Sequence, residues 1–423
     1  MNEHLLHRSW AEINLDTIAA NVRLIRSKVR RSSEILGVVK ADAYGHGARQ
    51  VVPVLLDNGV NRLAVSMLDE AIELRQAGIQ IPILVLSYTD PSRAHEILKY
   101  KVTQTVYNRD LASALSNAAV ERREDARIHI KVDTGMGRVG FLAGYDAIKS
   151  ISWIRDLPNM VVEGLYTHFA TADEADDHYV WHQFEQFMSI SQELDRIGLP
   201  IPLKHVCNSA AIMRFPQMHL DMVRPGLMMY GMIPPGCPDA WQALKPAMTL
   251  KSNLIHVKQL PAGSSVSYGR SFQAKRDSLI GTIPIGYADG YSRRLNQNAN
   301  VLIRGRRVPV VGKICMDSCM VDLTDLKGEQ PRVGEEVVLF GPGQFPRQLE
   351  PERARQEQKS EQDKRSQLVL QEQGAGPDSI TVDQIAEWMG TINYEVTCII
   401  GRRVPRAFIR HHELEYIHSY LFV

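Results

Sequence analysis

Between Trp10 and about Gly231 the sequence alternates short apolar runs with helix-like stretches, and this alternation constrains the fold more than any other feature. Strands that alternate with helices form parallel sheets, because each helix carries the chain back to the same end of the sheet. The strand candidates are EILGVVK, RLAVS, IPILVLS, TQTVY, RIHIKVD, VVEGLYTH, LKHVCNS and LDMVRPG. About eight such units are expected of a TIM barrel, so the sequence predicts an α/β chain with an N-terminal (β/α)8 barrel.

The pattern changes after about Pro234. Apolar segments there are separated by glycine, proline and asparagine, with no long helix between them: MTLKSNLIHVKQL, SLIGTIPIG, NVLIRGRRVPVVGKICMDSCMVDLT and GEEVVLFG. Such spacing is typical of antiparallel strands. We therefore predict a barrel over residues 10–235 and a mainly β C-terminal domain over residues 236–423, with the first residues of the chain as a candidate to pack on it.

A polar segment interrupts the C-terminal domain at residues 344–376. Between Leu349 and Leu368 its only apolar residue is Ala354. Such a stretch cannot bury enough surface to offset its ordering entropy, which predicts a solvated and flexible insertion or an exposed helix. After it, Thr381 precedes an apolar run with helical spacing, which predicts a new helix start.

Composition and charge favour a globular protein that acts on a small molecule. Of 423 residues, 49 are lysine or arginine and 48 are aspartate or glutamate, a balance that argues against binding to nucleic acid or an anionic membrane. No signal peptide or membrane span is visible, so we expect a cytoplasmic protein. The five cysteines do not resemble a disulfide framework, and Cys315 and Cys319 lack nearby metal-ligand partners, so we expect no metal.

Polar residues collect where the predicted barrel strands end, which is where TIM barrels carry their chemistry. These residues are Lys40, Arg138, His168, Asn208, Ser209 and Arg224. A lysine in an apolar pocket near other cations loses proton affinity and can attack an aldehyde, for which pyridoxal phosphate is the obvious candidate. Ser209, the Gly226 amide and a nearby helix start could hold its phosphate. Taken alone, Lys40 could equally be a strand-end lysine that extends to solvent.

Several motifs, taken in order along the chain, resemble those of the alanine racemases. They are VVKADAYGHG, KVDTGMGRVGF, THFATAD, NSAA, VRPGLMMYG, SYGR, GYADGY and CMDSCMVD. The resemblance covers nearly the whole chain outside the 344–376 insertion. It implies an eight-stranded α/β barrel, a C-terminal β domain and a head-to-tail homodimer.

The resemblance also implies the roles of the cofactor-binding residues. Lys40 would hold pyridoxal 5'-phosphate as an internal aldimine and act as the base on one face. Tyr268 would be the base on the other face, reaching the site from the partner subunit. Two bases on opposite faces suit racemisation, which removes a proton from one face and returns one to the other. The positions matching phosphate ligands are Tyr44, Ser209, Gly226, Leu227 and Tyr394.

Three further residues would surround the cofactor, and four would serve the substrate. Arg224 would face the pyridine nitrogen and keep it unprotonated, His168 would support Arg224 and Tyr268, and Asn208 precedes the phosphate-binding serine. The substrate residues implied are Arg138 and Met316 beside the carboxylate and Tyr287 at the entrance. Lys131 matches a lysine that is carbamylated in many members, where it positions the arginine that is Arg138 here. Singly, His168 could be a buried structural histidine, Tyr394 a strand aromatic and Met316 plain packing.

The function implied is alanine racemisation, supplying D-alanine for peptidoglycan. One alternative is a non-catalytic pyridoxal-phosphate-binding protein of the same barrel type, against which the C-terminal β domain weighs. Another is a racemase of serine or of broader specificity. Broad-specificity relatives usually carry an export signal, and this chain shows none.

Overall fold

A computed structural model describes residues 6, 8–234, 236–296, 298–342 and 379–421. The chain forms two compact units, one of Asn14–Ala247 and one of Met1–Ile13 with Met248–Val423. The insertion predicted at 344–376 lies outside the described residues.

The described strands and helices are numbered in chain order. The strands are β1 Ser9–Asn14, β2 Glu34–Val38, β3 Arg62–Val65, β4 Ile83–Val85, β5 Thr103–Val106, β6 Ala126–Asp133, β7 Phe141–Leu142, β8 Met160–Tyr166, β9 Leu203–His205, β10 Met222–Val223, β11 Met248–Asn253, β12 His256–Leu260, β13 Ser265–Val266, β14 Phe272–Gln273, β15 Ser278–Ile283, β16 Asn300–Ile303, β17 Arg306–Val311, β18 Cys319–Asp322, β19 Glu336–Pro342, β20 Ser379–Ile380, β21 Arg406–Arg410 and β22 Glu413–His418. The helices are α1 Leu15–Lys28, α2 Lys40–Gly45, α3 Ala48–Asp57, α4 Leu68–Gln76, α5 Ala94–Lys99, α6 Arg109–Arg122, α7 Tyr145–Arg155, α8 His178–Arg196, α9 Ser209–Arg214, α10 Val382–Met389 and α11 Asn393–Cys398.

The Asn14–Ala247 unit is a nearly closed parallel barrel. Its strands neighbour one another in the order β10, β2, β3, β4, β5, β6, β8, β9, with β7 added beside β6. The gap between β9 and β10 is bridged where the Asp221 amide donates to the Lys204 carbonyl at 3.1 Å and the Arg224 amide donates to the Cys207 carbonyl at 3.0 Å. All eight strand candidates are barrel strands, so the predicted (β/α)8 fold is confirmed.

Burial explains why these strands could be predicted from the sequence. Strands β4 and β5 are buried along their whole length, and β2 is buried except at its first residue. Helices cover the outside of a parallel barrel while its inside is packed with side chains, so both faces of each strand are covered and most of its residues are apolar. The strands consequently appear as short apolar runs rather than as alternating patterns.

The second unit is mainly antiparallel. Its sheet runs in the order β12, β15, β18, β17, β16, β19, β11, β1, β21, β22, with β20 beside β19, and this confirms the predicted β domain. Helix α10 begins after Thr381, whose hydroxyl accepts a hydrogen bond from the Gln384 amide at 3.1 Å, which confirms the predicted helix start. Within this sheet the buried Lys251 forms ion pairs with Glu12 at 3.0 Å and Glu336 at 3.2 Å.

Candidate active site

Lys40 lies directly after β2, on a backbone fixed from two sides. The Val38 amide donates to the Pro225 carbonyl at 2.9 Å, and the Val39 amide donates to the Ala64 carbonyl at 2.8 Å. Pro225 follows β10 and Ala64 belongs to β3, so both neighbouring strands hold the chain just before the lysine. The lysine is therefore presented at the C-terminal ends of the barrel strands.

The chain after Lys40 makes a left-handed turn without glycine. Residues Ala41–Tyr44 have φ of 52–55° and ψ of 39–50°. This conformation costs about 1–2 kcal/mol per residue, so the surroundings must hold it. The Asp42 carboxylate accepts from the Ala48 amide at 2.7 Å, and the Glu70 carboxylate accepts from the Ala41 amide at 2.6 Å. These bonds fix Tyr44, which is buried at the end of the turn.

Tyr44 meets the segment that joins β10 to the end of the barrel domain. The Gly226 amide donates to the Ser209 hydroxyl at 3.0 Å. A Cβ atom added at Gly226 would lie 2.5 Å from the Tyr44 hydroxyl oxygen, so any larger residue would force Tyr44 to shift. Asn208 caps α9 by accepting from the Ala211 amide at 3.0 Å, and Leu227 is buried next in the chain. The structure thus brings together four of the residues predicted around a phosphate, Tyr44, Ser209, Gly226 and Leu227. No side chain at Gly226 separates the Tyr44 hydroxyl from the Gly226 amide.

Arg224 is buried and its guanidinium is held on two nitrogens. Nη1 donates to the His205 carbonyl at 3.0 Å, while Nη2 donates to the carbonyls of Thr167 at 2.9 Å and Val206 at 3.0 Å. Two imidazoles complete the set, with Nδ1 of His205 3.0 Å from Nη1 and Nδ1 of His168 3.2 Å from Nη2. Burial lowers the pKa of Arg224 to about 10. Within the part of the chain that the structure describes, Nε donates to no protein atom.

The pKa of His168 is lowered by burial and by several positive charges nearby. Burial first, and then the nearby cations of Arg224, Arg138, Lys131 and Lys40, hold its pKa well below the ordinary value. The imidazole is therefore neutral. Because arginine can only donate, Nδ1 of His168 accepts from Arg224 and its Nε2 carries the ring proton.

Lys131 and Arg138 lie on β6 and on the loop that follows it. Nζ of the buried Lys131 donates to the Val139 carbonyl at 2.7 Å. Burial and the charge of Arg138 lower the pKa of Lys131 to about 8. The loop is fixed by the Asp133 carboxylate, which accepts from the amides of Gly135 at 2.9 Å and of Gly137 and Arg138 at 3.1 Å. The Arg138 side chain is exposed.

The second unit carries the other four predicted residues. Tyr287 and Met316 are adjacent, since the Tyr287 amide donates to the Cys315 carbonyl at 3.1 Å. Tyr268 follows Ser267, whose hydroxyl donates to the Lys313 carbonyl at 2.6 Å, so it belongs to the same neighbourhood. These three side chains are 71%, 43% and 52% exposed for Tyr268, Tyr287 and Met316 respectively. Tyr394 lies on another segment, α11, and is half-buried.

Sequence reasoning named His168 beside Arg224 but missed the second imidazole, His205. His205 stacks on Tyr166 with ring centroids 4.7 Å apart and planes 7° apart, and both rings are buried. The available signal was a histidine inside an apolar strand run, in LKHV and again in RIHIKV. Such a histidine needs a buried hydrogen-bond partner, which the sequence alone does not identify.

Two absences concern the described ranges only. Over 6, 8–234, 236–296, 298–342 and 379–421, no three histidine, cysteine or acidic side chains are grouped so that they could hold a metal ion. Over the same residues, no helix combines the length and apolar character needed to cross a bilayer.

Comparison with known proteins gives one consistent family. Residues 13–234 match the family model of the alanine racemase N-terminal domain, and residues 247–361 and 354–408 match that of the alanine racemase C-terminal domain. Alanine racemase 1 of Clostridium acetobutylicum is 45% identical over 97% of this chain and 98% of its own length. The alanine racemase of Clostridium novyi is 44% identical over the same shares.

Solved structures of the same family are similar over 98% of this chain. The alanine racemase of Clostridium difficile 630 has a TM-score of 0.86 at 40% identity, covering 98% of this chain and 99% of its own. The alanine racemase of Bacillus anthracis with bound L-Ala-P has a TM-score of 0.85 at 34% identity, covering 98% of each chain.

Proposed function

The chain belongs to the alanine racemase family, and from that premise we propose that it interconverts L-alanine and D-alanine with pyridoxal 5'-phosphate held covalently at Lys40. When bound, the cofactor supplies an electron sink that makes the α proton of the attached amino acid acidic. The observation that carries the proposal is the environment of Arg224. Its Nη atoms are fully committed to protein acceptors, while Nε remains without one among the described residues.

The hydrogen-bond donors of the site fit the cofactor both at its pyridine nitrogen and at its phosphate. The free Nε of Arg224 would face the pyridine nitrogen. Arginine does not release its proton, so this nitrogen stays unprotonated and the electron sink is moderate. A moderate sink favours return of the proton to the same carbon over transamination. His168, as a neutral acceptor, would hold the guanidinium in place.

At the other end, the phosphate would meet small donors. Its proposed ligands are Tyr44, Ser209, Gly226, Leu227 and Tyr394, with Asn208 capping the helix that begins at Ser209. The close approach of Tyr44 to Gly226 supports this assignment, because a larger residue at 226 would close the space between the hydroxyl and the amide. A phosphate is favoured where backbone amides and hydroxyls converge without competing side chains.

Two bases would move the α proton. Lys40 would take it from, or return it to, one face of the bound amino acid, and Tyr268 would do the same on the other face. Arg138 and Met316 would border the substrate carboxylate, and Tyr287 would line the entrance.

We propose that the active unit is a head-to-tail homodimer in which Tyr268 comes from the partner. The 71% exposure of Tyr268 within one chain supports this, because a base that moves the α proton needs a site shielded from water. A cytoplasmic location and a role in supplying D-alanine for peptidoglycan are parts of the same proposal.

The test is exchange of the α proton of L-alanine in deuterated water, followed together with chirality and visible absorbance. Wild type should exchange and racemise. Lys40→Ala should lose the absorbance of lysine-bound cofactor, and Tyr268→Phe should keep it but racemise poorly. A wild-type protein that shows the absorbance yet neither exchanges nor inverts any amino acid would instead be a cofactor carrier.

A further inference from the structure

A line of buried side chains leads away from Arg224 through the barrel interior. Nδ1 of His205 lies 3.0 Å from Nη1 of Arg224, and Nε2 of His205 lies 2.9 Å from Nδ1 of His129. Beyond it, Nε2 of His129 lies 4.0 Å from Oε2 of Glu163. His129 and His205 are almost completely buried, at 1% and 0% exposure. We call these four side chains the Arg224–Glu163 chain.

The direction of each hydrogen bond in this chain follows from Arg224. A guanidinium only donates, so Nδ1 of His205 must accept. Burial, followed by nearby arginine charge, lowers the pKa of His129 to about 3 and holds that of His205 well below its usual range, so both rings are neutral. A neutral imidazole carries one proton. His205 therefore donates from Nε2 to Nδ1 of His129, and the proton of His129 is on Nε2, facing Glu163.

Glu163 reaches this position through a β-bulge. In the pairing of β6 with β8, Ile128 is opposite Val162 and His129 is opposite Gly164, so Glu163 is the extra residue. Bulges redirect a side chain that regular pairing would place elsewhere. Oε2 of Glu163 is buried and makes no hydrogen bond among the described residues, while Oε1 accepts from Arg127 at 2.5 Å. This oxygen lies between two groups, 3.9 Å from Nη1 of Arg62 and 4.0 Å from Nε2 of His129.

Gly164 makes room for His129. A Cβ atom added at Gly164 would lie 2.4 Å from Nδ1 of His129 and 2.6 Å from two carbons of its ring. Real Cβ atoms do not approach so closely, so any other residue would displace the imidazole. The bulge and the glycine together hold His129 against His205, at the cost of regular pairing in β8.

We propose that His129 and Glu163 are positioning residues for Arg224. They fix His205 as the Nε2-protonated tautomer, whose bare Nδ1 holds one edge of the guanidinium and leaves Nε free. This inference rests on the proposed function, which places Nε opposite the ring nitrogen of the cofactor. The two imidazole hydrogen bonds polarise one another in series, and the Glu163 carboxylate, 4.0 Å from Nε2 of His129, acts on that ring through its charge.

The first experiment observes the histidine rings in the full-length protein without cofactor, labelled with 15N at histidine. Wild-type His205 should be protonated at Nε2 and not at Nδ1, with a downfield, slowly exchanging ring proton. His129→Leu removes the acceptor and should shift or lose that proton signal. His129→Asn keeps an acceptor near the place of Nδ1 and should retain it. His219→Asn is the control, since His219 is equally buried but contacts the Ile212 carbonyl instead.

The second experiment uses the cofactor-loaded enzyme with 15N in the pyridine ring. His129→Leu should move the pyridine 15N resonance and lower kcat by about tenfold, the lower end of what loss of an outer hydrogen-bond partner costs at metal sites, with little change in KM. His129→Asn should restore most of both. Glu163→Gln should give a smaller shift in the same direction, while Glu34→Gln, which removes another carboxylate paired with Arg62, should give none.

Three outcomes would overturn the inference. One is wild-type His205 protonated at Nδ1. Another is a folded His129→Leu protein with wild-type kcat and pyridine resonance, which would show that the Arg224–Glu163 chain has only a structural role. If His129→Leu does not fold, equal behaviour of Glu163→Gln and Glu34→Gln decides against it. Failure of the proposed function is distinct: the wild type would then neither bind the cofactor nor racemise alanine, whatever the rings of the cofactor-free protein show.

Discussion

The amine nitrogen of Lys131, on β6, lies 2.7 Å from the carbonyl oxygen of Val139, the residue that follows Arg138 in the next loop. Burial and the nearby guanidinium lower the pKa of this lysine to about 8. Only the neutral amine attacks CO2, in a reaction that forms a carbamate and releases a proton. The surrounding arginines, Arg138 and Arg224, would then stabilise the negative charge that the carbamate brings.

We therefore expect Lys131 to be carbamylated. Protein equilibrated with 13C-bicarbonate at pH 8 should show one carbamate 13C signal, which Lys131→Gln lacks and which fades on acidification as the amine takes up a proton. Lys251 is a matched buried lysine whose Nζ is engaged by the carboxylates of Glu12 and Glu336, which leaves no room for a carbamate, so it should not react. A wild-type spectrum without the signal would contradict the expectation.

Without CO2, Lys131 should make stability depend on pH. The folded protein releases this proton near pH 8, whereas an unperturbed lysine in the unfolded chain keeps it until about 10.5. The unfolded state therefore binds more protons between these values, and the free energy of unfolding should rise with pH across that window. Comparing urea unfolding of wild type and Lys131→Gln in CO2-free buffer measures the difference, and parallel pH curves would refute it.

Subunit mixing tests whether Tyr268 acts across a dimer interface. Lys40→Ala and Tyr268→Phe proteins, each inactive alone, are refolded together at equal concentration. Half of the dimers would be mixed, and each would hold one intact site of two, so activity should recover to about a quarter of wild type. If Tyr268 serves its own chain, mixing restores nothing. Refolding each variant with itself is the control.

Gly226→Ala should weaken binding of the cofactor. The new methyl group would lie 2.5 Å from the Tyr44 hydroxyl, which must move away from the proposed phosphate site. We expect about a tenfold rise in the Kd for pyridoxal phosphate, equal to ~1.4 kcal/mol. Adding Tyr44→Phe removes the clashing oxygen, so the double variant should bind no worse than Tyr44→Phe alone. Equal affinity of Gly226→Ala and wild type would exclude a crowded site.

Deleting residues 344–376 should leave racemase activity largely intact. The strands on either side pair directly, with Gly341 opposite Ile380 and Pro342 opposite Ser379. The deletion would leave Gly343, Pro377 and Asp378 to connect them, a loop length that hairpins commonly use. Activity and thermal unfolding should both stay near wild type. A variant that folds and binds cofactor but does not turn over would assign the segment a catalytic role.

Ala41→Gly should stabilise the protein slightly. Ala41 has φ of 52°, a conformation that costs an L residue about 1–2 kcal/mol. Glycine avoids that cost, and the greater conformational entropy of glycine in the unfolded chain destabilises the fold by only ~0.5–1 kcal/mol. The same change at Ala114, in the right-handed helix α6, lacks that gain and should destabilise. Urea unfolding of the two variants gives opposite signs if the left-handed turn is strained, and equal losses if it is not.

The fold was predictable because buried parallel strands appear in the sequence as short, mostly apolar segments. Most barrel strands are short apolar runs, and most are followed by a helix with its own spacing, so the units could be identified without knowledge of their contacts. The start of α10 was predictable for a similar reason, since a threonine cap acts within one helical turn. The roles of the site residues remain proposals drawn from position and family.

The surroundings of Arg224 were not predictable in this way. His129, Glu163 and His205 come from three different strands, and their contact depends on a bulge in β8 and on the missing side chain of Gly164. Nothing in RIHIKVD or VVEGLYTH indicates which residue is extra in the pairing. Likewise, the left-handed turn after Lys40 contradicts the preference of its non-glycine residues, and the carboxylates of Asp42 and Glu70 are among the groups that hold it.

The sequence by itself determined the two architectures, the strand ends that carry Lys40, His168, Ser209 and Arg224, and the family. All of these depend on local periodicity or on the order of motifs along the chain, and both can be read directly from the sequence. Only the tertiary structure decided which nitrogen of Arg224 is free, which tautomer His205 adopts and why Lys131 gives up its proton near pH 8. Those properties depend on burial and on distances between residues far apart in the chain, and electrostatic interaction is governed by distance in space rather than by separation in sequence.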